Sequence, residues 1–231
     1  MLIDLFQDVI ASKMTINQAV TIGLILVVTV FFSLAVHECC HGLAAYALGD
    51  PTAKNRGRLT INPIKHLNPL GAICMLLVGF GWANPVPVNP NYFKNRKAGM
   101  AITALAGPLS NFVLALLATL FYVLIERFAP VTASGFTKNL INVIYNFFIY
   151  MQLLNINLAI FNLIPVPPLD GSRILNIFLP EHLYFKVMRY EQYIAIALVV
   201  LIWLGVLTGP LSIVRNSISV GLESFARVFI R

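Results

Sequence analysis

The chain has 231 residues, 58% of them hydrophobic and only 11% charged, with a mean hydropathy of +0.82. A soluble domain carries about 25% charged residues, so this composition excludes a water-soluble globular protein and points to an integral membrane protein in a lipid bilayer. The net charge of +7 fits loops whose Lys and Arg set topology; a nucleic-acid partner would need a basic soluble face, and none is visible.

The first eighteen residues hold no short apolar core followed by a small-residue cleavage site, so no cleavable signal peptide is expected. Leu2, Leu5, Phe6, Val9 and Ile10 recur at helical spacing and predict an interfacial helix within 1–18. Four segments are then long and apolar enough to cross about 30 Å of hydrocarbon: 19–48, 99–126, 139–164 and 189–211. A fifth, LNPLGAICMLLVGFGWA at 67–83, is short and broken by Pro69, Gly71, Gly79 and Gly81. The Pro-rich run after it, NPVPVNPNYFKNRK, reads as extended strands and turns. The tail after 211 alternates apolar and polar positions at helical spacing and is expected to lie on the outer surface.

Loop charge orients these spans. Lys54, Arg56, Arg58 and Lys65 stand in one loop and Lys94, Arg96 and Lys97 in another. If 67–83 dips in and returns, both basic loops face the cytoplasm, as the positive-inside tendency requires. Irregular backbone at membrane depth must be covered by protein or line a water-filled cavity, so a re-entrant 67–83 would line one. The fold class expected is an all-α polytopic membrane protein of about four transmembrane helices plus a re-entrant or β-hairpin segment. Its expected divisions are an N-terminal interfacial segment (1–18), a core (19–180), and an extra transmembrane helix with an amphipathic tail (181–231).

The first span carries HECCH at 37–41. Histidines at i and i+4 lie about 40° apart on a helix, one turn apart on one face, so His37 and His41 can reach one metal ion. Glu38 sits about 60° round from His41, beside such a metal, where a carboxylate can take a proton from water. Glu and two His are costly in hydrocarbon and are kept for function or for pairing. Catalytic zinc usually takes a third protein ligand. Of the nine acidic residues, Asp170 suits that role: it follows the third long span in FNLIPVPPLDG, where Pro165, Pro167 and Pro168 break the helix and Gly171 permits a tight turn. An even number of crossings brings it to the membrane face of His37 and His41, which the re-entrant 67–83 supplies. Cys40 stays open as a rival ligand, closing a structural His/Cys site, while Cys39 points to the opposite face. With Cys74, the three cysteines form no disulfide framework.

These stretches, with AGPLSN (106–111), GRLTINPIKHLNPLG (57–71) and GFGWANPVPVNP (79–90), resemble the site-2 protease family of intramembrane zinc metalloproteases. They look like its compact prokaryotic branch, which lacks PDZ and nucleotide-binding CBS domains. The resemblance covers about residues 30–180. It implies a three-helix catalytic core, one Zn2+ per chain held by His37, His41 and Asp170, and Glu38 as catalytic base. It also implies that Asn162 lies close to the site, where its amide can bond a substrate carbonyl or oxyanion; Asn111 and His66 are weaker candidates for substrate contact. The implied substrates are transmembrane proteins, cut within or near a membrane segment that has unwound and added to the edges expected around 57–62 and 84–92. The implied place is a prokaryotic cell membrane, with the site towards the cytoplasm. Rival readings are a membrane metal transporter, which would need ligands spread along a path, and a non-proteolytic relative that binds transmembrane helices without cutting them.

Overall fold

The structure is a computed structural model describing residues 7–11, 13–78, 83–130, 132 and 134–230. From Ile16 onward ten helices organise the described residues: α1 (Ile16–Ala47), α2 (Thr52–Asn55), α3 (Pro63–His66), α4 (Pro69–Val78), α5 (Arg96–Phe128), α6 (Gly135–Asn162), α7 (Asp170–Leu175), α8 (Glu181–Arg189), α9 (Glu191–Trp203) and α10 (Thr208–Phe229). Three of them, α1, α5 and α6, are long and apolar enough to cross a membrane, and the bent pair α9–α10 makes a fourth if it counts as one span. At 1.5 Å per residue the shortest of the three, α6, is about 42 Å long, beyond the 30 Å of a hydrocarbon core. The all-α polytopic expectation therefore holds, with helix bounds within four residues of the first three spans read from sequence.

Local chemistry explains the helix starts. Thr15 and Gln18 close a capping box on α1, and the side chain of Asn95 accepts from the Ala98 N–H at the start of α5, so donors that the helix leaves orphaned are satisfied. Pro108 lies inside α5 and contributes no N–H there, which leaves the Ala104 carbonyl without its helical donor. Three apolar clusters hold the bundle. Val30 and Leu34 of α1 meet Met75 of α4 and Leu158 of α6; Ala115 and Ile156 meet Leu222 of α10; Tyr122 and Val123 meet Ala226. The outward faces remain apolar, with Leu24, Val28, Leu109, Val113 and Leu117 exposed, as lipid contact requires.

Three expectations change. The segment 67–83 contains a ten-residue helix, α4, about 15 Å long and too short to cross. Leu67 pairs antiparallel with Ala83, the Asn84 N–H donates to the His66 carbonyl at 2.7 Å, and the Asn84 amide donates to the Leu67 carbonyl at 2.8 Å. The two ends of the segment thus lie side by side and it returns to the level it left, but that one bridge is isolated and no hairpin strand is present among the described residues. The expected strands at 57–62 and 84–92 are likewise absent there; residues 84–89 form an irregular strap leading to a 3-10 turn at Pro90–Tyr92. Pro85, Pro87 and Pro90 remove the N–H groups a ladder needs. The fourth span, read as 189–211, is instead broken: α9 and α10 meet at 79°, with Gly205 at φ +74, a left-handed conformation that suits glycine. The tail after 211 belongs to α10, which packs along α5 and α6. Of the interfacial helix expected in 1–18, residues 7–10 are helical and Ile16 already opens α1, while residues 1–6, with Leu2, Leu5 and Phe6, lie outside the described residues.

The end of α1 is tied to the strap by Asp50, which is fully buried. Its Oδ2 accepts from the Asn89 N–H at 2.6 Å, and its Oδ1 accepts from both the Thr52 N–H (2.9 Å) and the Thr52 hydroxyl. Burial pushes this carboxyl up, but the hydrogen bonds from Thr52 and Asn89 outweigh it and hold it below its ordinary value. A carboxyl depressed on folding contributes stability that is present above its unfolded pKa and is lost as pH falls through the lower, folded one. Asp50→Ala should therefore lower stability at pH 7 by about 2 kcal/mol, measured by thermal unfolding in detergent, and the gap to the unsubstituted chain should narrow as pH drops below about 4.

Candidate metal centre

The site forms where three chain segments end at one level. His37, Glu38 and His41 sit in the last third of α1, Thr103 in the first quarter of α5, and Asp170 opens α7 just after α6. The residues after α6 make tight turns, with the Val166 N–H donating to the Ile164 carbonyl (2.8 Å) and the Leu169 N–H to the Val166 carbonyl (3.0 Å). Gly171 then packs so closely on the Leu163 and Ile164 carbonyls that an added Cβ would lie 2.5 Å from the latter. Only a residue without a side chain fits there, and the next carboxylate upstream, Asp170, is thereby aimed back at α1.

Three ligand atoms meet. His37 Nε2 and His41 Nε2 are 3.0 Å apart, and Asp170 Oδ2 lies 3.3 Å from the first and 3.2 Å from the second. Zinc ligands about 2.0–2.1 Å from a tetrahedral centre are themselves about 3.3 Å apart, so this triangle has the size the ion needs. The donor set, two imidazoles and a carboxylate, suits zinc. The tautomer suits it as well. His41 Nδ1 lies 2.7 Å from the Thr103 carbonyl, so Nδ1 carries the proton and donates, leaving the Nε2 lone pair to face the other two groups. The side chains of all three residues are at most 14% exposed. Among the described residues this trio is the group of His, Cys, Asp and Glu able to hold a metal ion.

Two neighbours set the walls. A Cβ on Gly107 of α5 would stand 2.5 Å from the His41 ring and 2.6 Å from His37 Cε1, so glycine at this position lets α5 reach the imidazoles. Glu38, one residue from His37 and 8% exposed, accepts at Oε2 from the Val86 N–H of the strap at 2.9 Å. Cys40 is turned elsewhere: with Val36, Leu43, Ala106, Leu109, Ser110 and Val113 it lines an apolar groove on the outside of the α1–α5 pair. Cys39 is buried as packing.

The other sequence candidates do not join the trio. Asn162 ends α6 and donates to the Leu158 carbonyl of its own helix at 2.9 Å. His66 is 1% exposed and its Nε2 lies 2.8 Å from the Thr60 carbonyl. Asn111, fully buried, stands one turn beyond Gly107. Sequence reading missed Thr103 and Val86, which act through backbone atoms that no side-chain pattern reveals. It also missed a buried polar pair one turn below His37, where the Asn155 amide donates to the Ser33 hydroxyl at 2.8 Å. Gly107 was readable in AGPLSN as a small residue at a helix contact.

Known proteins bear on this geometry. The chain matches peptidase family M50 over residues 25–205. It belongs to that family. Among curated relatives, it is 42% identical over 176 residues to YwhC of Bacillus subtilis, a protein named in the zinc metalloprotease class; the match spans 76% of this chain and 78% of that one. Rip2 of Mycobacterium tuberculosis H37Rv, named in the same class, is 27% identical over 182 residues, 77% of this chain and 66% of its own. MJ0392 of Methanocaldococcus jannaschii, named a zinc metalloprotease, is 26% identical over 229 residues, covering 97% of this chain and 56% of its own length. No solved structure matches the chain. The resemblance to the site-2 proteases read from HECCH and LDG thus stands as membership of an intramembrane zinc metalloprotease family, and the transporter reading gains no support.

Gly107→Ala should force the two imidazoles apart. The expected outcome is a zinc content well below one per chain by atomic absorption, with the helical content by circular dichroism retained.

Proposed function

We propose that His37, His41 and Asp170 hold one zinc ion and that Glu38 is the general base of a protease cutting peptide bonds within or near transmembrane segments of membrane proteins. The observation that carries this reading is the triangle of His37 Nε2, His41 Nε2 and Asp170 Oδ2, with sides of 3.0 to 3.3 Å, beside a buried carboxylate on the same helix turn. Zinc held there supplies Lewis acidity, polarising a carbonyl and making a water acidic at neutral pH.

The chain's own groups do the rest. Glu38 takes the proton of the attacking water and delivers it to the leaving amide nitrogen. Thr103 keeps His41 in one tautomer. The strap brings backbone groups to the rim of the site, where an unwound substrate segment can align. Pro85 and Pro87 offer only carbonyls, so on their side the strap accepts hydrogen bonds and does not donate them. Asn162, Asn111 and His66 are assigned to the surroundings of the substrate, not to the metal. The basic residues Lys54, Arg56, Arg58, Lys65, Lys94, Arg96 and Lys97 all fall between the end of α1 and the first turn of α5, on the side of the bundle that bears the trio, which supports a site towards the cytoplasmic side of a prokaryotic cell membrane. In this reading α1 to α7 form the catalytic core, and α8 to α10 an added helical unit.

The test is cleavage of a model transmembrane substrate in proteoliposomes, with zinc measured on the same preparations. Glu38→Gln should keep zinc near one per chain and lose cleavage by at least about a hundredfold; normal turnover would end the base assignment. Asp170→Ala should lose both zinc and cleavage. Cys40→Ser should keep both, since Cys40 does not join the trio; loss of metal from that variant would replace Asp170 with Cys40 as a ligand.

A further inference from the structure

The strap at 84–89 is held more firmly than an irregular segment of three residue types would need. Its donors are spoken for at three points: the Asn84 N–H by the His66 carbonyl (2.7 Å), the Val86 N–H by Glu38 Oε2 (2.9 Å) and the Asn89 N–H by Asp50 Oδ2 (2.6 Å). Two of the acceptors are carboxylates of residues twelve apart at the end of α1, one proposed to be catalytic and the other structural. Val86 itself is buried, and a Cβ on Gly42 would stand 3.2 Å from Val86 Cγ1 and 2.5 Å from Leu59 Cδ2. Gly42 is one turn beyond Glu38 on α1, so the glycine admits the strap to the carboxylate.

The carbonyl side of the strap has a charged partner. Arg58 Nη2 donates to the Asn84 carbonyl at 2.6 Å and reaches the Pro85 carbonyl at 3.4 Å. These are the two carbonyls immediately before Val86. A guanidinium is planar and permanently charged, and it fixes a pair of acceptors in direction as well as distance. The peptide whose oxygen Arg58 approaches at 3.4 Å, Pro85–Val86, is the one whose N–H meets Glu38. We infer that Arg58 is a positioning residue: by clamping the Asn84 and Pro85 carbonyls it holds the Val86 N–H on Glu38 Oε2 and so fixes which way the carboxylate presents its proton-accepting edge. This rests on Glu38 being the base.

The clamp also gives Arg58 a role apart from topology. Lys54, Arg56 and Lys65 are exposed, whereas Arg58 is half-buried and its Nε is fully enclosed. A charge kept only to mark a cytoplasmic loop would not be drawn into the protein in this way.

The test compares variants for cleavage of the same transmembrane substrate, with kcat and KM separated and zinc measured. Unsubstituted protein that cleaves and Glu38→Gln that does not are required first; failure there defeats the proposed function itself. Val86 precedes Pro87, which biases its backbone to the extended region, and Val86→Pro removes its N–H. Its kcat should fall on the order of tenfold to a hundredfold below that of Val86→Ala, which keeps the N–H. Arg58→Ala should lower kcat similarly, with KM within about twofold and zinc retained, and Arg58→Lys should restore part of the loss. The double variant Arg58→Ala, Val86→Pro should be no worse than Val86→Pro alone by more than about twofold. A raised KM with unchanged kcat in Arg58→Ala, or losses that multiply in the double variant, would overturn the assignment. If Val86→Pro fails to hold zinc, the Arg58 pair decides: a fall in kcat with Lys rescue supports the clamp, and its absence refutes it.

Discussion

Everything in this protein depends on bringing three lone pairs together where there is little water to solvate them. His37, His41 and Asp170 are each enclosed, and none would be stable there without the others or an ion between them. The bundle is arranged to make that meeting possible. Gly107 lets α5 approach the two rings, the Thr103 carbonyl turns one ring, and Gly171 lets the chain after α6 fold tightly enough to return a carboxylate. Remove any of these and the three polar atoms separate.

The strap is the second consequence of the same constraint. The proposed base must be held in an enclosed site without being neutralised by a salt bridge. Glu38 is held by a backbone N–H, which fixes its orientation while adding no competing charge. That donor comes from a proline-rich segment that makes no ladder of its own, so it needs outside fixing at both ends. Asp50 supplies one fixing point and Arg58 the other. The basic loop that sequence reading assigned to topology alone therefore also supports the site.

Much of this was legible from the residues. The first three spans followed from apolar length, and the meeting of His37, His41 and Asp170 followed from helical spacing in HECCH together with the proline-broken helix before Asp170. The dip of 67–83 followed from loop charge, and the pairing of Leu67 with Ala83 agrees with it. What was hidden had a common cause. The strand expected around 84–92 was read from a proline-rich run that excludes helix, but the same prolines also deny a ladder its donors. The 79° bend between α9 and α10 was invisible to a reading based on length, since LTG at 207–209 and Gly205 interrupt hydropathy very little. Thr103 and Val86 contribute a carbonyl and an N–H, which every residue owns, so their position in space is the whole of their signal. Cys40 was ambiguous at 60° from His37 on a helical wheel; it lines an outer groove and does not join the trio.

The central claim is the ligand set, and X-ray absorption at the zinc edge of the purified protein tests it most directly. The account predicts two imidazole nitrogens and oxygen ligands at about 2.0–2.2 Å, with no scattering at a sulfur distance of about 2.3 Å. A sulfur shell, or a single imidazole, would contradict it.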